Sequence, residues 1–577
     1  MNDFLLIHST LQSKYDFDDA VMLSDQWNLL TKNNAFRDIR NNGKRYLIFG
    51  DLIDSKELLF ATQDEDIPKL KGNFYVIVLE NETIKIYNSF FGLLPLYFTT
   101  NKRLIGSSFR WIEKYVQGSL TIDKKFVLEQ LLFNYGFFNR TKYKEIQLLP
   151  SNSYIKLQEE NFTIQKHFEV ISFFNNPKKV RMADELSGLF IQTVDSYFPD
   201  EHFHIAFTSG FDGRTLVSCA DYLQKDFSTF SFGRPENDDV SIPKNNAKVL
   251  GIPYECFDLG DTNYHSEAYL ENANAFTTSG CLGNGFLYAH FPFTAQKISK
   301  KFNYLLSGIC GSELFRALRS PGAVTSQALT DVFKTDSDAE LREKLKNSKV
   351  LTVLNKKGFA EELDELIEEI IDYKDRLPQN ISLNQQFYVF VFEEIFRKFF
   401  GQWVQAQQQY LYVRTPFLDF DFVKALLQSK YAGANNEFFT KNPFKRMKGQ
   451  YIYADIIRKT NSTIYGQHTG KGYAPRDVRN PFYRLNIVLP FLKKRFKRKV
   501  KRTYLDNLGI ISGIQHNKEA LLSQLHEPHF FDGKELANRL DHLSDFTPEK
   551  ERDTLLMSLA ILYSLQDNKI NTKRKTA

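Results

Sequence analysis

Two glycine-containing segments hold residue types suited to phosphate chemistry. Thr208-Ser209-Gly210-Phe211-Asp212-Gly213-Arg214 stands between a predicted strand over 204–207 and a predicted helix over 214–223. At such a junction backbone N–H groups and the helix dipole favour an anion, and small residues let the main chain approach it. A carboxylate fits among phosphates only through a cation, which makes Asp212 the candidate to hold Mg²⁺ bridging to pyrophosphate oxygens. The spacing departs from the phosphate loop G-x-x-x-x-G-K-[ST], and no lysine follows, so an ordinary strand-to-helix turn is the alternative for the same residues. A second turn, 308–315 (GICGSELF), follows the apolar run 303–307 (NYLLS) and enters another predicted helix.

Such turns need a parallel sheet behind them. Residues 227–232 read as a strand, 242–250 as a helix and 254–259 as a strand, so the chain alternates βαβαβ after about residue 185. Turns of this kind converge at the carboxyl ends of the strands, where open α/β sheets bind ligands. Upstream, roughly the first 120 residues read as short strands, and 74–79 (FYVIVL), a turn at 80–82 and 83–87 (TIKIY) form a predicted hairpin. Beyond residue 335 the pattern is mostly helical. It includes an acidic amphipathic stretch over 359–373 and a buried aromatic helix over 386–405, whose Glu393, Glu394, Arg397 and Lys398 argue against a membrane span.

Composition bounds the rest. At 577 residues the chain is several times the ~150-residue prior for one domain, and 42% hydrophobic with 25% charged residues fits a folded globular protein. Eight basic residues crowd into 493–502 (KKRFKRKVKR), and removing them from the net +6 leaves the remainder at −2. No nucleic-acid partner is expected from that balance. The block itself reads as a solvated helix face, with docking to an acidic peptide, anionic lipid headgroups or nucleic acid as the alternative. The four cysteines form no C-x-x-C pair, which points to a reducing, cytoplasmic setting. The amino-terminal MNDFLLIHSTLQ has neither the basic region nor the apolar length of a secretory signal, and no uncharged apolar stretch reaches ~18 residues. His202, His204 and His265 form no metal pattern, and Cys310 reads as a small buried hydrophobe.

The pair TSGFDGR and LLSGICGSELF resembles the loops of the asparagine synthetase-like group of ATP pyrophosphatases, S-G-G-x-D-S and S-G-E-G-A-D-E-L-F. Other segments extend the resemblance in family order between about residues 70 and 475. Leu70-Lys71-Gly72-Asn73-Phe74 resembles L-x-G-x-F. Phe91-Gly92-Leu93-Leu94-Pro95-Leu96-Tyr97 resembles F-G-x-x-P-L-Y. Arg414-Thr415-Pro416-Phe417-Leu418-Asp419 is similar to R-x-P-F-L-D, and Lys471-Gly472-Tyr473 lies where the family has K-x-G-F. Arg414 and Asp419 themselves read as packing and ion-pair residues.

The resemblance implies an α/β protein of two domains. Residues 1–180 would form an Ntn-hydrolase-like, β-rich glutaminase-type sandwich, and 181–577 a parallel-sheet adenine nucleotide α-hydrolase-like synthetase domain with a helical, partly basic carboxyl-terminal extension. It implies ATP and Mg²⁺, a carboxylate substrate of small-molecule or peptide type, an amine or ammonia donor, and adenylation with release of pyrophosphate and then AMP. A biosynthetic partner protein is a further expectation. By the same resemblance Thr208, Ser209, Gly210, Asp212 and Gly213, with Gly308, cradle the phosphates, Phe232 and Gly233 contact adenine or ribose, Asp212 and Glu313 hold the metal, and Lys471 and Glu313 are catalytic. Strict spacing would put Gly470 rather than Lys471 at the family lysine.

Departures from the pattern shape the expected function. The family's glutaminase uses a cysteine exposed behind the initiator Met, whereas here Asn2 follows Met1 and no cysteine precedes Cys219. An amino-terminal domain without glutamine hydrolysis is therefore expected. Residues 49–54 sit about where a glutamine-binding segment would fall, without its pattern. Thr208 and Ser209 replace Ser and Gly, and Gly213 replaces the second Ser. Ile309 stands at an acidic position of the amide-forming step, and Ser312 replaces a metal-binding aspartate. The expected activity is amide-bond formation on a specialised peptide, sugar or natural-product substrate, lactam or macrolactam closure included. A catalytically inactive scaffold and ammonia-dependent asparagine synthesis are the alternatives.

Overall fold

The computed structural model describes residues 3–575 apart from 15–19, 32–35, 54, 57, 59–62, 176–181, 317–323, 356–357, 441, 447, 484, 490–506, 526–529 and 545–546. The basic block 493–502 thus lies outside the described residues.

The chain begins with short strands: β1 (Phe4–His8), β2 (Val21–Met22), β3 (Trp27–Thr31), β4 (Arg37–Asn41), β5 (Lys44–Leu52) and β6 (Gly72–Glu80). They are followed by β7 (Thr83–Asn88), β8 (Tyr97–Thr99), β9 (Leu104–Gly106), β10 (Ile146–Leu148), β11 (Ser153–Gln158) and β12 (Asn161–Lys166). One antiparallel sheet has the order β10-β8-β9-β1-β3-β2 and the other β12-β11-β7-β6-β5-β4. The predicted hairpin is β6–β7, paired from Tyr75↔Asn88 to Glu80↔Thr83, with Asn81 at φ 51° in its turn.

Period-two alternation explains why FYVIVL is apolar throughout. Tyr75 and Ile77 join the core between the sheets, where the Phe4 ring lies 4.7 Å from Phe49 and 5.3 Å from Tyr75. Phe74, Val76 and Val78 point the other way and form a second cluster with Leu58, Ile67 and Tyr154. Gly72 opens β6 at φ 115°, and any side chain there would collide with the Asp51 backbone.

The second half is built on β13 (Phe203–Ala206), β14 (Phe227–Gly233), β15 (Tyr254–Asp258), β16 (Tyr304–Leu306) and β17 (Tyr412–Arg414), all parallel, in the order β15-β14-β13-β16-β17. From β13 the chain winds outward through β14 and β15, then returns to β16 on the other side. Neighbouring β13 and β16 therefore define the topological switch point. The predicted helices following β13 and β14 run over Asp212–Tyr222 and Asp238–Leu250.

The halves are locked together. Arg414 at the end of β17 donates Nε and Nη2 to the Asp51 carboxylate at 2.7 and 3.1 Å, both side chains buried, while its Nη1 donates to the Tyr197 carbonyl at 3.0 Å. Arg414 thus takes the packing and ion-pair role expected of it, with a partner in the 49–54 segment, and Asp419 caps the Phe420–Leu427 helix through the Phe422 amide at 2.9 Å. The aromatic helix is continuous over 383–408, but its middle, Val391–Phe400, widens to π-type turns. Three of its charges are buried and matched: Glu394 accepts from Arg397 (3.0 Å), Lys398 (2.5 Å) and the Phe138 amide (3.0 Å), while Arg397 donates to the Leu149 carbonyl at 2.6 Å. Burial pulls the Lys398 ammonium down to about 7, against the pull of Glu394. The Glu549–Lys575 helix returns to the amino-terminal half, where buried Lys142 donates to Ser564 Oγ at 3.1 Å. Among the described residues no helix is long and apolar enough to cross a membrane.

His204 on β13 is only 2% exposed and stacks on Phe302 at 4.1 Å. Neither ring nitrogen reaches a hydrogen-bond partner among the described residues, and the Glu255 carboxylate stands 3.9 Å from Nε2. Burial, reinforced by His202 and Lys301, holds its pKa down to about 4. As pH falls below the ordinary 6.5 the unfolded chain takes up this proton before the folded one, so stability is lost between pH 6.5 and 4. His204→Phe is expected to stabilise the protein by about 2 to 3 kcal/mol more at pH 4.5 than at pH 7.5. Denaturant melts at the two pH values measure the difference, and an equal gain at both would contradict it.

Candidate functional site

The two turns singled out by residue type meet at the switch point. The first leaves β13 and runs into the Asp212–Tyr222 helix, and the second leaves β16 and runs into the Gly311–Phe315 turn of helix. Glycines permit the approach. A Cβ on Gly308 would stand 2.6 Å from Asp212 Cβ, and one on Gly311 would stand 2.9 Å from Asp212 Oδ1. Gly213 packs against the backbone of Ala206 and Phe207 so tightly that a side chain would not fit.

Asp212 is the centre of this contact. Ser312 Oγ donates to its Oδ2 at 2.9 Å, and the hydroxyl of Tyr453, buried on the Gln450–Thr460 helix, donates to its Oδ1. Ser312 therefore holds Asp212 in place of offering a second carboxylate. Glu313 lies beside it, and burial followed by the charge of Asp212 pushes its pKa up to about 7. Two neighbouring carboxylates, Asp212 and Glu313, are a donor set that fits Mg²⁺, which takes one or two carboxylates and leaves its other positions to phosphate and water. Ile309 and Cys310 are buried, and burial with the nearby Glu313 and Asp212 charges pushes the Cys310 thiol up, in keeping with a small buried hydrophobe.

Ser209 is engaged differently from an open phosphate loop. Its amide donates at 3.3 Å, and its hydroxyl also donates, to the same oxygen of Asp239, which sits in the first turn of the Asp238–Leu250 helix. Thr208 Oγ1 accepts from the Gly210 amide at 3.4 Å. Gly470 N donates to the Ser209 carbonyl at 3.3 Å, and a Cβ on Gly470 would lie 3.0 Å from Ser209 Cβ. Glycine thus occupies the position lying on the loop, with Lys471 next in a tight turn closed by Gly472 N donating to the Thr469 carbonyl at 2.8 Å.

Arg214 fastens that turn. Its fully buried guanidinium donates to the carbonyls of Gln467 (3.1 Å), His468 (3.0 Å), Ile464 (3.5 Å) and Gly210 (3.4 Å), and burial pulls its pKa down to about 10. Phe211 packs against Tyr453 and Tyr473 at ring separations of 5.7 and 6.3 Å. Farther along the sheet edge, Gly233 at φ 130° lies under Asn507, whose side chain accepts from the Arg234 amide at 3.0 Å, and Phe232 packs on His290 at 4.6 Å. The structure therefore brings Thr208, Ser209, Gly210, Asp212, Gly213, Gly308 and Glu313 together with the Lys471 turn, while Asn507 covers Gly233. His202 is held by Asp226 (2.7 Å) and Ser228 (2.6 Å), and His265 by the Leu259 carbonyl (2.7 Å).

Tyr453, Asp239 and Asn507 carry no sequence signal of their own, because an isolated tyrosine, aspartate or asparagine acquires meaning here only from its neighbour in space. Arg214 was visible as the last residue of the first segment, but its carbonyl partners were not.

The fold is a mixed α/β one, with two stacked antiparallel sheets, a doubly wound parallel sheet after them and a helical carboxyl-terminal region. No protein-family model matches the chain, and no curated protein matches it. Among solved structures it is similar to one described as the allosteric regulatory enzyme of purine biosynthesis, at 8% identity and a TM-score of 0.17, covering 44% of this chain and 59% of that one. It is also similar to the glutamine phosphoribosylpyrophosphate (PRPP) amidotransferase from B. subtilis complexed with ADP and GMP, at 10% identity and a TM-score of 0.17, covering 60% of this chain and 83% of that one. The chain thus spans less than two thirds of the length of the first of these structures.

Proposed function

We propose that this chain is an ATP-dependent, AMP-forming amide ligase of the asparagine synthetase type, with an Ntn-like amino-terminal domain that does not hydrolyse glutamine. The observation that carries this is the meeting of two glycine turns around Asp212 at the switch point of a parallel sheet, the place where such sheets bind nucleotides. The absence of any cysteine before Cys219 supports the missing glutaminase step.

In this scheme a substrate carboxylate oxygen attacks the α-phosphorus of ATP and pyrophosphate leaves. An amine nitrogen then attacks the acyl carbon, gives up a proton, and AMP leaves. The amides of the 208–213 loop and the start of the Asp212–Tyr222 helix hold the phosphates. Asp212 and Glu313 would hold Mg²⁺, which when bound neutralises charge developing on pyrophosphate. Lys471 supplies a second positive charge from the turn that Arg214 fastens. A specialised peptide, sugar or natural-product carboxylate is the substrate class, with an amine or ammonia as acceptor.

Exchange of labelled pyrophosphate into ATP, driven by a panel of carboxylates, tests the scheme directly. Exchange with one of them supports it, whereas no exchange together with no ATP binding favours a catalytically inactive scaffold. One observation favours that second reading, namely the Asp239 carboxylate seated on the donors of Ser209. Asp239→Asn removes the competing charge and is expected to tighten ATP binding about tenfold, the size of one charge-assisted hydrogen bond. Titration with a fluorescent ATP analogue measures it. An unchanged affinity would show that Asp239 does not compete with phosphate.

A further inference from the structure

We propose that a cavity formed between the two halves of the chain binds a small organic cation: a primary amine or ammonium on an apolar body. The cavity encloses about 280 Å³ between the Lys124–Phe133 helix, the Gln327–Lys334 helix and the start of the Glu549–Lys575 helix. None of its lining residues belongs to the turns around Asp212, so it stands independently of the nucleotide reading. Leu131, Leu132, Val350 and Met557 make an apolar wall, and Glu549 and Lys550 lie exposed at the rim.

The polar end is specific in sign. Asn134 and Asp553 line both this cavity and a smaller one directly behind it, which is walled by Asn284, Tyr288 and Phe399. Asp553 is partly buried; its Oδ1 accepts from Arg552 Nε at 3.1 Å and pairs with Nη2 at 2.9 Å, yet burial pushes its carboxyl up to about 6. Asn284 is 5% exposed, and its side-chain oxygen has no hydrogen-bond partner among the described residues. A buried acceptor left without a donor is costly, and a second acceptor with negative charge stands in the same space. Both are served at once by an N–H₃⁺ group, whose charge also suits the faces of Tyr288 and Phe399. A carboxylate ligand would meet Asp553 and the Asn284 oxygen with the wrong sign. An alcohol could donate only one hydrogen. The apolar wall then takes the body of the ligand, in keeping with pockets that fix orientation with a few polar groups and gain affinity from burial.

The full-length protein titrated calorimetrically with n-hexylamine, hexan-1-ol and hexanoate tests this. Hexylamine is expected to bind with one-to-one stoichiometry, at least tenfold more tightly than either control, and to raise the melting temperature. Asp553→Asn is expected to weaken hexylamine at least tenfold. Asn284→Leu keeps the number and branching of the side-chain heavy atoms and removes the unpaired acceptor, so it is expected to weaken hexylamine while leaving the protein folded. No binding of hexylamine, equal binding of the three probes, or binding unaltered in folded Asn284→Leu protein would each overturn the proposal.

Discussion

Asp212→Asn is expected to lower carboxylate-dependent pyrophosphate exchange by about 100-fold or more, the scale on which removal of one preorganised electrostatic group acts. The side chain is isosteric, and its carbonyl oxygen can still accept from Ser312 or Tyr453, the two hydroxyls that hold Asp212 in the structure. What disappears is the charge. Melting of the variant should therefore stay close to that of the parent while exchange collapses, and it is this separation that assigns the effect to chemistry. Full exchange activity in the variant would remove Asp212 from any metal role. Ser312→Ala makes a useful contrast, because it deletes one hydroxyl donor to the carboxylate and leaves the charge. A loss of only about tenfold is expected there, in line with roughly 1.5 kcal/mol for one hydrogen bond to a charged group.

Arg414→Ala is expected to destabilise the fold by about 3 to 5 kcal/mol, the cost of leaving a buried charge without its partner. Asp51 would keep its carboxylate in a buried position on β5, and the Tyr197 carbonyl would lose its donor as well. The guanidinium also lies 4.5 Å from the centre of the Tyr304 ring, so truncation leaves a void next to β16. The double variant Arg414→Met with Asp51→Leu removes both charges and is expected to recover most of the loss. Chemical denaturation of the three variants separates the possibilities. A cost in Arg414→Ala that persists undiminished in the double variant would mean that packing, and not the unpaired charge, is responsible.

The parallel sheet and its two loops could be read from residue types because each is a local pattern. Apolar runs of strand length ended in glycine turns, and the turns opened helices with apolar spacing. The hairpin at β6–β7 was legible for the same reason. What locality could not supply is the traffic between distant segments. Asp212 is held by Tyr453 from 241 positions away and Arg414 by Asp51 from 363. Asp239 is only 30 residues from Ser209, yet nothing in its surroundings marks it as the residue that would turn back across the sheet edge. The 386–405 stretch was legible as a buried helix, but not its π-type middle, since nothing in the pattern marks Glu394, Arg397 and Lys398 as satisfying one another and the backbone of the antiparallel half.

The helix over Glu549–Lys575 has a bearing on how the protein is made. Lys142, on the antiparallel half, finds Ser564 on this helix from 422 positions away. Synthesis proceeds at roughly 5 to 20 residues per second, so this face of the first-made half waits roughly 20 to 80 s on the ribosome before its covering helix emerges. During that interval Leu131 and Leu132 present an apolar surface with nothing to lie against it from the far end of the chain. The order of translation, not the order of contact in the finished fold, thus sets when this face of the amino-terminal half is covered.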